Sequence, residues 1–410
     1  MSTITTARRR FVPIVALLAA DGVSRAGNAI TTVAVPLIAL DTTGSPLATA
    51  AAGVAATLPL VIGGVVGGVV VDRLGFRRAS IVADLASGVT VLAIPVLAAV
   101  HALPLWALLL LVFLSNLLDA PGSAARSSQI PELSELARVA LSRVAAAQAT
   151  VSRSATMIGA GLAGVLIAMA GAAPAMFVNA AAFGVAVALT VLFVPHVPLP
   201  ATHEVDARAA RSGWRALTAG IRFVARTPLV TAVVMMVVVT NAIDAAGMTV
   251  LKPVYAAGLG HGGAELGIMV ACSAGGALSG AALYGILGDR LPRHALYVIL
   301  FLLAGVPPYV TLALHPPFPV VAIVLALSGL AAGPLNPLID SALYRLIPPD
   351  IRARVLGAIT AGVTAAMPLG SLVAGLTVDG FGLTVSLVAA AALYLITILA
   401  TGFGRRWRGF

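Results

Sequence analysis

Ionisable side chains inside long apolar stretches are the residues of this chain whose positions suggest chemistry. Asp21, Arg25 and Asn28 lie in the apolar stretch 11–40 at spacings of four and three residues, which places them on one face of a helix. A charge at the centre of a bilayer costs roughly 2.5–3.5 kcal/mol on insertion scales, so it usually faces the protein interior and has a partner or a task. Asp21 is therefore a candidate to bind and release a proton. The alternative is a permanent Asp21–Arg25 ion pair that only fixes packing.

A second polar face is predicted in the apolar stretch 228–256. It consists of four residues at spacings of three or four: Asn241, Asp244, Met248 and Lys252. Asp244 lies near the middle of the stretch and rivals Asp21 as the group that binds a proton. Lys252 lies toward one end, where its long side chain is expected to extend to the membrane surface.

Twelve apolar stretches must position these residues. The chain is 60% hydrophobic and only 10% charged, whereas charged residues make up about a quarter of an ordinary soluble domain. A helix that crosses a bilayer needs roughly 20 apolar residues. We predict membrane helices over residues 11–40, 46–71, 79–100, 104–124, 141–169, 174–194, 228–256, 264–288, 295–314, 318–346, 352–378 and 382–403.

The basic residues predict the orientation of these helices. Of the 25 Lys and Arg residues, 22 fall in alternate connecting segments, and the intervening turns contain none. Because basic residues are enriched on the cytoplasmic side of membranes, both termini are predicted to be cytoplasmic. The net charge of +10 then reflects membrane orientation, and no nucleic-acid partner is expected. Abundant Ala and Arg with a single Lys are typical of GC-rich bacterial genomes, so the expected location is a bacterial inner membrane.

Composition also excludes several kinds of chemistry. Lys252 is the only lysine and follows no glycine-rich loop, so the chain contains no phosphate-binding loop and is not expected to hydrolyse ATP. Cys272 is the only cysteine, and no two histidines have metal-ligand spacing. We therefore expect no cofactor, no metal site and no enzymatic activity.

The chain is predicted to consist of two similar halves. Residues 1–194 and 228–410 each contain six predicted helices, and 195–227 is a predicted cytoplasmic linker. Its end, 213–226, is predicted to form an amphipathic helix on the inner membrane surface. Offsets of 217 and 211 residues relate the halves through the pairs Pro36 and Pro253, Asp72 and Asp289, Arg73 and Arg290, Gly159 and Gly370, and Gly164 and Gly375. Parallel six-helix repeats with a pathway between them are typical of transporters.

Further polar residues lie toward the cytoplasmic ends of the fourth and tenth predicted helices: Asn116, Asp119, Asn336 and Asp340. Asp119 and Asp340 are expected to form gating salt bridges with Arg126 and Arg345 rather than to contact a substrate. Asn116 and Asn336 are candidates for substrate contact.

The loop between the second and third predicted helices contains a glycine- and arginine-rich motif. Its residues are Gly68, Asp72, Arg73, Gly75, Arg77 and Arg78. Gly68 permits close helix approach, Gly75 permits a reversed turn, and Asp72 is suited to the N-terminus of an opposing helix. The arginines are expected to pair with Asp84. A second copy, in which Pro292 replaces the second glycine, contains Gly285, Asp289 and Arg290.

This motif resembles the signature loop of the major facilitator superfamily, and the resemblance covers nearly the whole chain. Segments 24–28, 34–37, 43–45, 121–133 and 368–375 are similar to the branch of the enterobactin exporter and macrolide efflux pumps. The chain departs from that branch at Asn28, where Asp is common, and at Ala160, where the fifth-helix antiporter motif has Pro. It also lacks the fourth-helix arginine of many proton-coupled exporters and has Ser115 and Asn116 in that region.

The resemblance implies an all-α membrane fold of twelve helices in two pseudo-symmetric six-helix bundles. The first, fourth, seventh and tenth helices would line a central cavity, and Asp72 would face the start of the eleventh near 349–353. The expected activity is export of a small amphiphilic drug or secondary metabolite by alternating access, driven by proton antiport, from a monomer in the lipid bilayer. The alternatives are an exporter of one dedicated compound such as a siderophore, a nutrient uptake symporter, and a membrane protein that transports nothing.

Overall fold

The computed structural model describes residues 2–195, 218, 220–260, 264–287, 293–348 and 351–402, and the regular structure in these ranges is helical. Eleven helical segments in the described ranges are long and apolar enough to cross a membrane, and Pro46–Pro59 is a shorter apolar helix. The predicted all-α membrane fold is therefore confirmed. The first seven helices are α1 (Ser2–Thr43), α2 (Pro46–Leu74), α3 (Phe76–Ala99), α4 (Leu105–Ser128), α5 (Ile130–Ala137), α6 (Leu141–Ala170) and α7 (Ala172–Phe193).

The second series begins with α8 (Pro228–Ala246), a π-helical turn (Gly247–Leu251) and α9 (Lys252–Gly258), which together form one continuous span. It continues with α10 (Ala264–Leu287), α11 (Arg293–Leu314), α12 (Phe318–Ala332), α13 (Leu335–Leu346), α14 (Arg352–Phe381) and α15 (Leu383–Gly402). The predicted linker is described only at residues 195, 218 and 220–227, so most of its predicted amphipathic helix lies outside the described residues.

The structure differs from the sequence prediction in three helices. The predicted helix 318–346 is interrupted at Gly333 and Pro334, because proline lacks the N–H that would continue the helix. The predicted helix 228–256 contains the π-helical turn Gly247–Leu251. The segment 130–137, predicted as loop, is the short helix α5, with Ile130, Leu133 and Ala137 buried against α1.

The chain divides into two compact units. Unit 1 comprises Met1–Thr43 with Ala55–Val205, and unit 2 comprises Gly44–Val54 with Asp206–Phe410. In unit 1, α1 packs against α6 and α7, and α3 packs against α4 and α7. In unit 2, α8 packs against α14 and α15, and α11 packs against α12 and α15. The division at 194 and 228 into two bundles stays a prediction.

Two close helix crossings recur in both units. In unit 1, a Cβ atom on Gly159 of α6 would lie 2.3 Å from the carbonyl oxygen of Ala26 in α1. In unit 2, a Cβ atom on Gly370 of α14 would lie 2.1 Å from the carbonyl oxygen of Ala242 in α8. Only glycine allows the two backbones to approach this closely, so Gly159 and Gly370 serve helix packing.

The second recurring crossing places a glycine against an aromatic ring. Gly88 of α3 faces Phe183 of α7 in unit 1, and Gly305 of α11 faces Tyr394 of α15 in unit 2. These contacts show which residues of the two units correspond. A residue of α1 corresponds to the residue of α8 that lies 216 positions later, and the offset between α3 and α11 is 217 positions. The offset is 211 positions both between α6 and α14 and between α7 and α15. The same 211-residue offset relates the turns at Gly171 and Gly382, whose φ angles are 91° and 84°.

Candidate functional site

Arg126 is the centre of a buried ion cluster in unit 1. Its side chain is 1% exposed near the end of α4, where its Nη1 donates to both oxygens of Asp84 at 2.7 and 2.9 Å. Its Nε lies 3.3 Å from Asp21, and its Nη2 lies 3.5 Å from Asp119 and 3.4 Å from Ser24 Oγ. One guanidinium therefore joins carboxylates from α1, α3 and α4.

The position of Arg126 corrects its sequence assignment. The fourth helix was predicted to end at residue 124, which left Arg126 in a cytoplasmic loop. The helix continues to Ser128, so Arg126 remains on the helix and faces the interior. Burial of this charge is tolerated because three carboxylates and a hydroxyl bind the guanidinium. The prediction that Asp119 pairs with Arg126 agrees with the geometry, and the gating role of this pair stays a proposal.

Asp21 is shared by two guanidinium groups. Its Oδ2 accepts a hydrogen bond from Arg25 Nε at 2.9 Å, and its Oδ1 faces Arg126. Arg25 also donates to Ser123 Oγ of α4 at 3.2 Å. The Asp21–Arg25 pair predicted from spacing is thus present, but as one edge of a larger network that extends from α1 to α4.

Asn28 connects the accessible face of α1 to this cluster. Its side-chain amide donates to Asp119 Oδ2 at 2.8 Å. Asp119 is 17% exposed, whereas Asp21 and Asp84 are 1% and 0% exposed. Asp119 is therefore the most exposed carboxylate of the cluster.

Asp84 and Arg77 have different partners from those predicted. The motif arginines were expected to pair with Asp84, but Asp84 faces α4 and binds Arg126. Arg77 instead donates to the carbonyl oxygens of Val191 and Val194 at the end of α7, at 2.8 and 2.7 Å. These carbonyls have no further helical turn to donate to them, so they accept from a guanidinium.

The rest of the signature motif is described only in part. Gly75 adopts a φ of 76° immediately before α3, which is the reversed turn predicted there. Arg78 is exposed. The side chains or whole residues that lie outside the described part of the chain are Gly68, Asp72, Arg73, Asp289, Arg290 and Asp340. Gly285 is exposed, and no neighbour lies within 4 Å of its Cβ position.

Asp244 is the central polar residue of unit 2. It is exposed although it lies in the middle of the span Pro228–Gly258. The hydroxyl of Tyr309 in α11 lies 3.5 Å from its carboxylate and donates to the carbonyl oxygen of Ile243 at 2.9 Å. Lys252 is partly buried and lies two turns further along the same span. The expectation that its side chain extends to the membrane surface stays a prediction.

The remaining candidates make local contacts. Asn241 and Asn116 donate to carbonyl oxygens of their own helices, those of Val237 and Val112, at 2.8 and 2.9 Å. Met248 is partly buried in the π-helical turn, and Asn336 is exposed at the start of α13. The structure does not place these four residues in one network.

Sequence reasoning missed Tyr309, Ser24 and Ser123. Tyr309 follows two prolines in an apolar stretch, and nothing local indicates that it reaches α8. Ser24 and Ser123 have the spacing of residues that face Asp21 and Asp119 on their own helices, three and four residues away, so their participation was detectable once those carboxylates were singled out.

The correspondence between the units shows where the cluster is unusual. By the offsets of α1 and α3, the residues of unit 2 at the positions of Asp21 and Asp84 are Val237 and Phe301. The 217-residue offset also relates Ile130–Pro131, which follow α4, to Ile347–Pro348, and it places Leu343 at the position of Arg126. Val237, Phe301 and Leu343 are buried, with exposures of 8%, 3% and 4%. Unit 2 thus has buried apolar side chains at the three positions that Asp21, Asp84 and Arg126 occupy in unit 1.

The fold and the intramembrane charges define a multi-pass membrane transporter, and comparison with known proteins identifies its family. The sequence profile of the transmembrane secretion effector family, a branch of the major facilitator superfamily, matches residues 10–405. The chain belongs to this family. The major facilitator fold predicted from the signature motif is confirmed.

Two curated relatives share nearly the whole length of the chain. The multidrug efflux pump Tap of Mycolicibacterium fortuitum is 31% identical over 401 residues, which cover 97% of this chain and 96% of that protein. The multidrug efflux pump Tap of Mycobacterium tuberculosis H37Rv is 30% identical over 394 residues, covering 95% and 92%. Among solved structures, the nucleoside transporter NupG superposes with a TM-score of 0.72 at 13% identity, covering 96% of this chain and 98% of that one. That likeness concerns the fold alone.

Proposed function

We propose that this chain exports small amphiphilic drugs or secondary metabolites and couples export to proton entry. In this proposal the two six-helix bundles, 1–194 and 228–410, alternate access to a substrate site between them. The protein acts as a monomer in a bacterial inner membrane, with both termini in the cytoplasm. The similarity to multidrug efflux pumps supports the direction and the substrate class.

The observation that most directly supports proton coupling is the ion cluster around Arg126. Buried ion clusters contribute little net stability, and apolar residues of similar volume often stabilise a protein as well or better. Unit 2 forms the matching crossings of its helices and has apolar residues at the positions of Asp21, Asp84 and Arg126. These crossings therefore do not require the charges, and the presence of the cluster in unit 1 supports a task. Proton exchange is such a task, because ionisable groups inside a membrane are costly and usually functional.

The accessible polar face of α1 is the proposed place where substrate and proton interact. Arg25, Asn28 and Thr32 are all accessible on this face, and the first two are bonded into the cluster. In unit 2 the corresponding proposal concerns Asn241, Asp244 and, in the π-helical turn, Met248. Asp244 remains a rival site for the coupling proton.

The test is transport by the purified protein in vesicles with an acidic lumen. Molecules inserted with their cytoplasmic face outward should concentrate an amphiphilic substrate in the lumen and dissipate the pH gradient at the same time. Compounds are first selected by the thermal stabilisation they give the detergent-solubilised protein. Substrate flux that ignores the pH gradient, and leaves it intact, would refute proton antiport. Absence of flux and of counterflow across the selected compounds would refute transport of this substrate class.

A further inference from the structure

We propose that Asp119 is the residue of unit 1 that binds and releases the coupling proton, and that Asn28 and Arg126 are the groups that sense its charge. This inference rests on the proposed proton antiport and assigns the proton to a residue other than Asp21 and Asp244. It is carried by the number of charges in the cluster, the distances within it and the exposure of its three carboxylates.

Counted over the ion pairs recorded among the described residues, the cluster contains one more negative charge than positive charge. Its carboxylates are Asp21, Asp84 and Asp119, and its guanidinium groups belong to Arg25 and Arg126. With all five groups ionised the net charge is −1, within a membrane-spanning region where an uncompensated charge is expensive. One bound proton makes the cluster neutral, with two carboxylates matched to two guanidinium groups.

The distances and exposures indicate which carboxylate receives that proton. Asp84 accepts two short hydrogen bonds from Arg126, and Asp21 accepts from Arg25 and faces Arg126. Asp119 faces Arg126 only at 3.5 Å, and its other oxygen accepts from the neutral amide of Asn28. Charge-assisted hydrogen bonds favour the ionised form of a carboxylate, and Asp119 has the weakest of them. It is also the most exposed of the three, so water delivers and removes its proton most easily.

The charged groups that surround Asp119 come from three helices. Helix α1 contributes Asp21 and Arg25, α3 contributes Asp84, and α4 itself contributes Arg126. Helix α5 also contacts α4. Its two carboxylates, Glu132 and Glu135, are not among the ion-pair partners recorded in the described part of the chain.

Proton binding changes one contact of the cluster and leaves the others intact. A proton taken from water onto Asp119 Oδ1 removes the charge that attracts Arg126 Nη2, while Arg126 keeps Asp21 and Asp84. Asn28 still donates to Oδ2. Proton release restores the ion pair between Asp119 and Arg126. Because Asn28 lies on the accessible face of α1, a substrate bound there meets a cluster whose charge depends on Asp119.

Asp119→Asn tests the assignment directly. This variant keeps the size and the hydrogen bond acceptor, and it fixes the cluster in its neutral state. We expect loss of accumulation driven by a pH gradient in the acidic-lumen vesicles, with substrate counterflow at equal pH retained. Asp41→Asn, at the exposed end of α1, is the matched control and should behave as the unsubstituted protein.

Two further variants test the charge count without altering Asp119. Arg25→Gln leaves the cluster with a net charge of −2, so Asp119 binds its proton more tightly. The pH of half-maximal transport should therefore rise by about one unit. Asp84→Asn leaves the ionised cluster neutral, so that pH should fall by a similar amount. A purely structural role for these residues predicts lower activity without opposite shifts. If Asp84→Asn does not fold, the charge count is tested by Arg25→Gln alone, through the upward shift in its pH of half-maximal transport.

The outcomes separate this inference from the proposed function. If the unsubstituted protein shows no response to the pH gradient, the proposed antiport is wrong. If it responds and Asp119→Asn responds equally, only the assignment of Asp119 is wrong, and loss of the response in Asp244→Asn would then assign the proton to unit 2. If folded Asp119→Asn loses counterflow as well, Asp119 acts in the substrate path and the inference is overturned.

Discussion

Removal of Arg126 should destabilise unit 1 strongly at neutral pH. In Arg126→Gln the cluster retains three carboxylates and only Arg25 as a cation, so its net charge becomes more negative, from −1 to −2. Asp84, at 0% exposure, loses both of its charge-assisted hydrogen bonds. Removing one partner of a buried ion pair typically costs 3–5 kcal/mol, because the other charge stays buried without compensation. At 2–4 °C per kcal/mol for a unit of this size, the melting temperature should fall by roughly 6–20 °C.

The pH dependence distinguishes this explanation from simple loss of packing. Protonation of the orphaned carboxylates removes the uncompensated charge, so the deficit of Arg126→Gln should shrink as the pH is lowered. The double variant Arg126→Gln with Asp84→Asn should recover part of the lost stability at neutral pH, because it removes the most deeply buried of the carboxylates that lose Arg126. Arg143→Gln, an exposed arginine at the start of α6, is the control. Melting of the detergent-solubilised protein across pH, followed by intrinsic fluorescence, measures each effect.

One result would refute the reasoning about the cluster. If Arg126→Gln melts at the same temperature as the unsubstituted protein at neutral pH, Arg126 does not compensate the three carboxylates. An equal deficit at every pH would instead assign the loss to packing of the arginine side chain.

Two further predictions concern the helix crossings and unit 2. Gly159→Val should abolish folding of unit 1, since even a Cβ atom would overlap the backbone of α1. The control is Gly184→Val, at an exposed position with no neighbour within 4 Å. Gel filtration should show monodisperse protein for the control and not for Gly159→Val. Tyr309→Phe removes the hydrogen bond to the Ile243 carbonyl and the contact with Asp244, which should cost about 1 kcal/mol. The melting temperature of Tyr309→Phe should fall by a few degrees, while that of the control Tyr284→Phe should equal that of the unsubstituted protein. If the melting temperature of Tyr309→Phe does not fall, the hydroxyl of Tyr309 does not contribute to stability.

Much of the fold was predictable because each membrane helix carries its own signal. Apolar length gives the helices, since backbone groups within a bilayer must be satisfied locally. Gly75, Gly171 and Gly382 mark turns that require a positive φ. The π-helical turn after Ala246 was not predictable, because it depends on packing. The interruption at Gly333 has a local cause in Pro334, but Pro95 and Pro368 lie inside unbroken helices, so proline alone does not predict where a helix breaks. A Cβ atom on Gly333 would meet α10, and one on Gly247 would meet the Tyr309 ring.

The candidate site was predictable only within single helices. Spacing revealed the Asp21–Arg25 pair, because both residues lie on α1. The links from α4 to α1 and α3 join residues about 100 and 40 positions apart, and no local pattern reports such distances. Arg126 was assigned to a loop because positive charge near a helix end normally indicates the cytoplasmic surface. Its true environment depends on carboxylates that other helices supply.

The comparison of the two units also explains why their polar groups differ. By the correspondence that the helix crossings establish, Asn28 of unit 1 matches Asp244 of unit 2, and Arg25 matches Asn241. Unit 1 therefore has an amide where unit 2 has an acid, and its acid, Asp119, lies on the neighbouring helix beside a buried guanidinium. Leu343 stands at the position of that guanidinium in unit 2. Within the described part of the chain, Asp244 has a tyrosine hydroxyl beside it and a lysine two turns away on its own span. A carboxylate without a fixed guanidinium partner is free to bind a cationic substrate, whereas the carboxylate of Asp119 is held in a network whose other charges are fixed.

Asp119 is therefore suited to bind the proton and Asp244 to contact the substrate. Asp244→Asn should then alter which substrates bind and leave the pH of half-maximal transport unchanged, as competition assays with charged and neutral amphiphiles across pH would reveal.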